Sequence, residues 1–308
     1  MTNKVIKDLA ASVRARLLQY SKNTGRSFNE ILLYYSIERF LFRLSCSKYR
    51  ERLILKGGLL IQILQGQHGR TTKDIDLLGR LDNSLENIKT IIRECVTLEV
   101  PNDGIVFIAD SIRTEEIAKD SEYQGVRVNL NWTLGQIKQT LKLDIGFGDA
   151  VVPQPTWIDY PEMLNFGKPR ILGYSSESVI AEKFQAMIEL DITNSRLKDF
   201  FDIWSLSQTQ AFDGMILSKA IRTTFERRTT AIPIELPVAL TEEFANNPQK
   251  QRQWKSFLNQ LGLTTQEELS QIISMLGNFL IPVCQALISG RAFDQYWPAA
   301  GPWQAKTP

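Results

Sequence analysis

The chain is poor in the side chains that most often build metal sites and covalent cross-links. Its three cysteines, Cys46, Cys95 and Cys284, show no CxxC and no metal-ligand spacing. That excludes a disulfide framework and a thiolate zinc site, and it reads as reduced, packed thiols of a cytosolic protein. His68 is the single histidine in 308 residues, so a histidine-ligated metal is excluded and His68 is expected in a loop. The net charge is only +2; any nucleic-acid-binding surface must therefore be local. The N-terminal MTNKVIKDLAASVRARLL has no apolar core, and no signal peptide is expected. One uncharged stretch, Gln271 to Gly290, has the length of a membrane span, but Asn278, Pro282 and Gln285 interrupt it. It reads as buried helix instead. Repeats and low-complexity tracts are absent.

What remains is ordinary globular material, 43% hydrophobic and 23% charged, long enough for one large or two modest domains. Its chemistry concentrates between Leu55 and Leu77, LKGGLLIQILQGQHGRTTKDIDL. This predicts a short apolar helix opened by Gly57-Gly58, a polar turn, and a strand carrying Asp74 and Asp76. Strand side chains alternate between faces, so Asp74 and Asp76 share one face while Ile75 and Leu77 anchor the other. Paired carboxylates repel unless a cation lies between them, and hard oxygen donors suit Mg²⁺. A glycine pair lets backbone approach phosphate oxygens.

A lone Asp-x-Asp is as often a solvated strand end. A second strand, TLKLDIGFGD from Thr140 to Asp149, tips the balance. Leu141, Leu143, Ile145 and Phe147 alternate with Lys142, Asp144 and Gly146, which puts Asp144 on a polar face. A third carboxylate on a neighbouring strand is what a metal-dependent phosphoryl or nucleotidyl transfer site requires. Asp149 competes for that place but follows two glycines, where capping a turn is the expectation. The combined set points to a nucleotidyltransferase.

Elsewhere, residues 1–50 read as helical, with a turn at Asn23-Thr24-Gly25 and Arg39 and Arg43 on an expected solvated face. Leu85 to Cys95 reads as a helix, and segments beginning at Gly104 and Gly125 read as strands. Residues 151–171 carry four prolines and are expected to connect an N-terminal part, 1–150, to a mainly helical lobe, 151–308. Ser176 is a candidate N-cap for the helix containing AEKFQAMIEL. Lys183 is one of few charges there and a candidate phosphate contact. In RLKDFFD, Asp199 and Asp202 share a helix face with Arg196 close by, a pattern usually found as a surface ion pair. Arg222, Arg227 and Arg228 form the densest later basic cluster, either an RNA contact or plain surface. A frayed C-terminal tail is expected.

The ordered segments ERFLFRLS, LKGGLL, RTTKDIDLLG, YQGVRV, LDIGFGD, ESVIAEKFQAM, NSRLKDFFDIW and TTFERRTT resemble the AbiEii/AbiGii nucleotidyltransferase toxins of type IV, abortive-infection toxin–antitoxin systems. The resemblance covers nearly the whole chain. It implies an α+β fold: a nucleotidyltransferase mixed-sheet core flanked by N-terminal helices and a C-terminal helical lobe. It also implies nucleotide transfer from a nucleoside triphosphate with Mg²⁺, an RNA acceptor with tRNA first, a cognate antitoxin, a cytoplasmic location and no membrane. By the same resemblance, Gly57 and Gly58 match phosphate-side glycines, and Thr72 with Asp74 matches a hydroxyl-x-Asp pair. Asp76 completes the Asp-x-Asp, and Asp144 is the candidate third metal ligand. Lys183 and Asp199 match the remaining motifs, Asp199 acting on the incoming hydroxyl. Lys56, Arg70 and Lys198 stand as further phosphate candidates. Gly-Gly replaces the Gly-Ser of many nucleotidyltransferases, so a phosphate-binding hydroxyl falls to Thr71 or Thr72. The competing expectations are a non-catalytic module binding RNA or antitoxin, and nucleotidylation of a protein or small molecule.

Overall fold

The computed structural model describes residues 8–65, 72–119, 123–261 and 268–306. Their contacts divide into two compact units. The first takes the chain up to Ile63 together with Thr72–Gly148 and Thr156–Gly173, and the second takes Asp149–Pro155 and the chain from Tyr174. The division is thus not a single cut near residue 150. The proline-rich segment doubles back, because Thr156–Asp159 and Arg170–Gly173 are strands of the first unit's sheet.

Two helices open the first unit, α1 (Leu9–Thr24) and α2 (Phe28–Cys46). Asp8 caps α1 by accepting from the Ala11 N–H, and Gly25 at φ 71° ends it in the left-handed region that glycine tolerates. A mixed sheet follows, built from β1 (Leu53–Lys56), β2 (Ile75–Gly79), β3 (Val106–Phe107), β4 (Arg113–Lys119), β5 (Tyr123–Leu134), β6 (Ile137–Phe147), β7 (Thr156–Asp159) and β8 (Arg170–Gly173). Its order is β3-β5-β6-β2-β1-β8-β7, with β4 also on β5. The pairs β2–β6 and β1–β8 are parallel and the others antiparallel. Helices α3 (Gly57–Gln65) and α4 (Leu85–Val96) complete the unit. The period-2 pattern decides which face is buried: Val126, Val128, Leu130 and Trp132 of β5 lie in the core with Leu141, Leu143 and Ile145 of β6. Each such side chain contributes roughly 1.5–3 kcal/mol of burial, and the alternate residues, Arg127, Asn129, Lys142 and Asp144, are left for the other face.

Arg39 and Arg43 are not solvated. Arg39 is fully buried beside Glu38 and donates to the Phe166 and Gly167 carbonyls at 2.8 and 2.6 Å. Arg43 grips Asp103 at 2.7 Å. Both carry the α2 stripe around to the loops rather than to water, and the buried Arg39 guanidinium is tolerated because both its terminal nitrogens find acceptors. Burial pushes the Glu38 carboxyl up to about 7 despite Arg39.

The second unit packs α5 (Ser176–Leu190), α6 (Leu197–Thr209), α7 (Gly214–Arg227), α8 (Glu242–Asn246), α9 (Pro248–Leu261) and α10 (Leu269–Ile288). The N-cap of α5 is Ser175, one residue ahead of Ser176, accepting from the Ser178 N–H. Among the described residues α10 alone is long and apolar enough to cross a membrane. Leu269, Ile272, Leu276, Phe279, Leu280 and Val283 are buried in this unit, against α6, α7 and α8, as expected of a core helix. The tail is not frayed through Lys306. β11 (Gln304–Ala305) pairs with β10 (Gln295–Trp297), which pairs with β9 (Phe212–Asp213). Trp303 stacks on Phe279 with ring centres 5.6 Å apart, and Lys306 bridges Asp213 and Asp294.

Candidate active site

Strand register lays charges in a row across the first unit. Lys56 on β1 faces Asp76 on β2, Asp76 faces Asp144 on β6, and Asp144 faces Arg127 on β5. Glu115 on β4 extends the row beyond Arg127. Residues opposite one another on paired strands project to one face, so the row reads cation, two adjacent carboxylates, cation, carboxylate. Lys56 and Asp144 are each only 7% exposed, which gives the charges more weight than a solvated row would have. Arg127 holds Asp144 with two parallel bonds, Nε to Oδ1 at 2.9 Å and Nη2 to Oδ2 at 3.0 Å. Its other terminal nitrogen stands 4.0 Å from Glu115.

Asp74 lies in a bend immediately before β2 rather than on the strand, and is half-buried. Its carboxyl titrates above the usual carboxylate range. Burial is the main cause; Asp144 and Asp76 add to it, and Lys142 and Arg127 oppose it. Three carboxylates are therefore electrostatically coupled here. The backbone leading into Asp74 is anchored on α2, where the Thr72 N–H donates to the Tyr34 hydroxyl at 3.2 Å.

Gly57 has a role the sequence did not disclose. It opens α3 at φ +69°, and a Cβ there would lie 2.2 Å from the Asp76 Oδ2 and 2.7 Å from its Cγ. The missing side chain makes room for the Asp76 carboxylate. Gly58 follows within α3. Arg70, Thr71 and His68 lie outside the described residues.

In the second unit, Lys183, Asp199 and Asp202 form a buried cluster. The Lys183 ammonium stands 2.5 Å from the Asp199 Oδ1 and 2.8 Å from the Asp202 Oδ2, while the Arg196 Nε lies 2.7 Å from the other Asp199 oxygen. Asp199 and Asp202 are 1% and 0% exposed, so this is not the surface pair expected from their spacing. Phe184, Phe200 and Ile203 of the same helices are buried as well. Lys250 joins the same neighbourhood, its buried ammonium donating to the Asn194 carbonyl at 2.6 Å. Asp149 belongs to this unit and pairs with Arg228 at 3.0 Å, with Glu182 at 3.5 Å from the same guanidinium. Of the basic cluster, Arg228 is thereby structural, while Arg222 and Arg227 are exposed.

The family model for the nucleotidyl transferase AbiEii toxin, type IV TA system, matches residues 39–296. The chain belongs to the AbiEii family. The match runs from α2 to β10 and so takes in both charged sets. Two solved structures from Helicobacter pylori are similar in fold to this AbiEii chain. JHP933 is 17% identical, with 86% of this chain and 95% of that one covered and a TM-score of 0.49. A candidate nucleotidyltransferase is also 17% identical, covering 86% and 97%, with a TM-score of 0.48. No curated protein matches the chain in sequence. The family match makes this a nucleotidyltransferase toxin of a type IV system, which implies a nucleotide substrate and an antitoxin partner.

Within the AbiEii chain, Lys56, Gly57, Asp74, Asp76 and Asp144 come together in the first unit, and Lys183 with Asp199 in the second. Sequence reasoning missed Arg127, and it saw Lys142 only as a polar-face residue and Asp202 only as a partner of Asp199 in a surface pair. The alternation that placed Asp144 on a polar face applies equally to Arg127 in YQGVRV, between Val126 and Val128, and would have found it. Gly57→Ala is expected to lower stability by about 1–2 kcal/mol from the left-handed backbone alone and to displace the Asp76 carboxylate. Nucleotide transfer should fall at least roughly tenfold, the cost of about 1.4 kcal/mol in the barrier. Denaturation and transfer assays on the purified variant check both, and full activity would remove Asp76 from the site.

Proposed function

We propose that this protein transfers a nucleoside monophosphate from a nucleoside triphosphate to an RNA acceptor, tRNA first, using Mg²⁺. It acts in the cytoplasm and is restrained by its antitoxin. The observation that supports the reading is the pair Asp76 and Asp144, side by side in register with Asp74 coupled to both. Lys56 and Arg127 flank that pair, and a bound cation would in addition relieve Asp74, whose carboxyl is raised by burial first and by Asp144 and Asp76 after it. The donor set fits Mg²⁺: hard carboxylate oxygens, and a glycine whose absent Cβ accommodates one of them.

Asp74 and Asp76 are the residues that would hold the ion; when bound, it would offset charge on the triphosphate. Lys56, Gly57, Gly58, Arg70 and Thr72 are assigned to the nucleotide, the cations meeting phosphate oxygens and the glycines admitting them. Lys183 is assigned to the triphosphate and Asp199 to the acceptor. In the step itself, the acceptor hydroxyl oxygen bonds to the α-phosphorus, the bond to the β-phosphate bridging oxygen breaks, and pyrophosphate leaves. Asp199 is assigned to take the hydroxyl proton, and Lys183 at 2.5 Å orients that carboxylate.

The test supplies each of the four α-labelled triphosphates to the purified chain with total RNA and Mg²⁺. One nucleotide should label RNA of tRNA size, and chelation should abolish the label. Label on protein would overturn the RNA acceptor, and no label under any condition would overturn transfer.

A further inference from the structure

We infer that Arg127 is a built-in cation that takes the place of a second metal ion, so that the first unit binds one divalent cation, not two. The inference rests on the proposed Asp74–Asp76 metal site. A third carboxylate beside such a pair is ordinarily the ligand that lets two ions be held together. Here Asp144 has the right place, opposite Asp76 on a parallel neighbour. Yet both its oxygens already accept from one guanidinium, at 2.9 and 3.0 Å.

Three features make that pairing a fixed part of the site. Asp144 and Arg127 are register partners on antiparallel strands, so the fork and the carboxylate start from opposite positions on one face. Asp144 is 7% exposed, and a bidentate guanidinium–carboxylate contact at low exposure is among the stronger polar pairs. Glu115 stands on the far side of Arg127 at 4.0 Å, register-paired with it, and attracts the guanidinium on that side. A second dication at Asp144 would have to displace or repel a delocalised positive charge that the sheet itself positions. Arg127 is therefore a positioning residue: it holds Asp144 on itself and leaves Asp74 and Asp76 as the ion's carboxylates.

Mn²⁺ alone, titrated into the full chain and followed by electron paramagnetic resonance of the unbound ion, counts the sites without any turnover. The wild type should bind one ion per chain, lost in Asp74→Asn and kept in Asp144→Asn. Arg127→Met should bind two, and Arg127→Met with Asp144→Asn should return to one. Arg127→Lys, which retains a charge at the same place, should stay at one. A wild type binding two ions, an ion lost with Asp144→Asn, or a folded Arg127→Met still binding one would each overturn the inference while leaving the Asp74–Asp76 site standing. Mn²⁺ binding indifferent to Asp74→Asn would instead overturn the proposed metal site, and this inference with it.

Discussion

Lys183→Met is expected to remove about 3–5 kcal/mol of unfolding free energy, the range for deleting one partner of a buried ion pair. The geometry behind this is specific. Asp199 and Asp202 are 1% and 0% exposed and both point at the one ammonium, at 2.5 and 2.8 Å. Without it, two carboxylates one helical turn apart lose the cation they share, while Arg196 still stands 2.7 Å from Asp199. The loss comes mainly from stranded charge and not from the missing contact itself. Adding Asp202→Asn to Lys183→Met should therefore recover part of it, although Asp202→Asn alone is destabilising. Urea denaturation of the wild type, the two single variants and the double variant measures this coupling. A loss under about 1 kcal/mol for Lys183→Met would mean that the cluster is solvated in solution, against the burial found here. For function the consequence is practical: loss of activity in Lys183→Met is interpretable only at a temperature where the variant is folded.

The sequence carried the first unit's chemistry because period-2 alternation is local. Ile75 and Leu77 on one side with Asp76 on the other can be read from three residues, and so can Asp144 between Leu143 and Ile145; Asp74, in the bend before the strand, lies outside the alternation. The neighbour relations are not local. That Asp76 stands beside Asp144, and that both are flanked by Lys56 and Arg127, depends on a strand order of β5-β6-β2-β1 that no spacing encodes. The same limit explains Gly57. A glycine pair before a helix reads as phosphate-facing, whereas the atom that fills the missing Cβ of Gly57 comes from Asp76, nineteen residues later in the chain.

Burial of charge was the least legible property. Arg39, Arg43, Asp199 and Asp202 sit at spacings that serve equally well on a wet helix face. Their burial is decided by partners far away in sequence, the Phe166 and Gly167 carbonyls, Asp103 and Lys183. The tail misled for a related reason. AGPWQAKTP is short and proline-bounded, but Trp303 finds an aromatic shelf made by Phe279, Trp297 and Phe293, and one well-placed indole outweighs the fraying tendency of a terminus.

Asp74→Asn is expected to abolish nucleotide transfer and, at neutral pH, to make the protein more stable. Removing one of two proposed metal carboxylates takes away several kcal/mol of charge stabilisation in the transition state, at least about a hundredfold in rate. The stability half follows from the direction of its titration. The folded chain raises the Asp74 carboxyl above its unfolded value, through burial first and through Asp144 and Asp76 after it. A raised carboxyl binds its proton more tightly in the folded state, so ionisation opposes folding. That penalty is absent below the unfolded value of about 3.9 and grows as pH rises through the folded one. Asparagine cannot ionise and escapes it. The difference in melting temperature, variant minus wild type, should therefore be near zero around pH 3 and positive at pH 7. Mg²⁺ should reverse the order by stabilising the wild type and not the variant, since a ligand that binds only the folded state raises its stability. Thermal melts of both proteins at the two pH values, with and without Mg²⁺, supply every comparison. A variant less stable at pH 7 without metal would show that Asp74 is held by favourable partners, and the carboxylate row would then be a structural ion network.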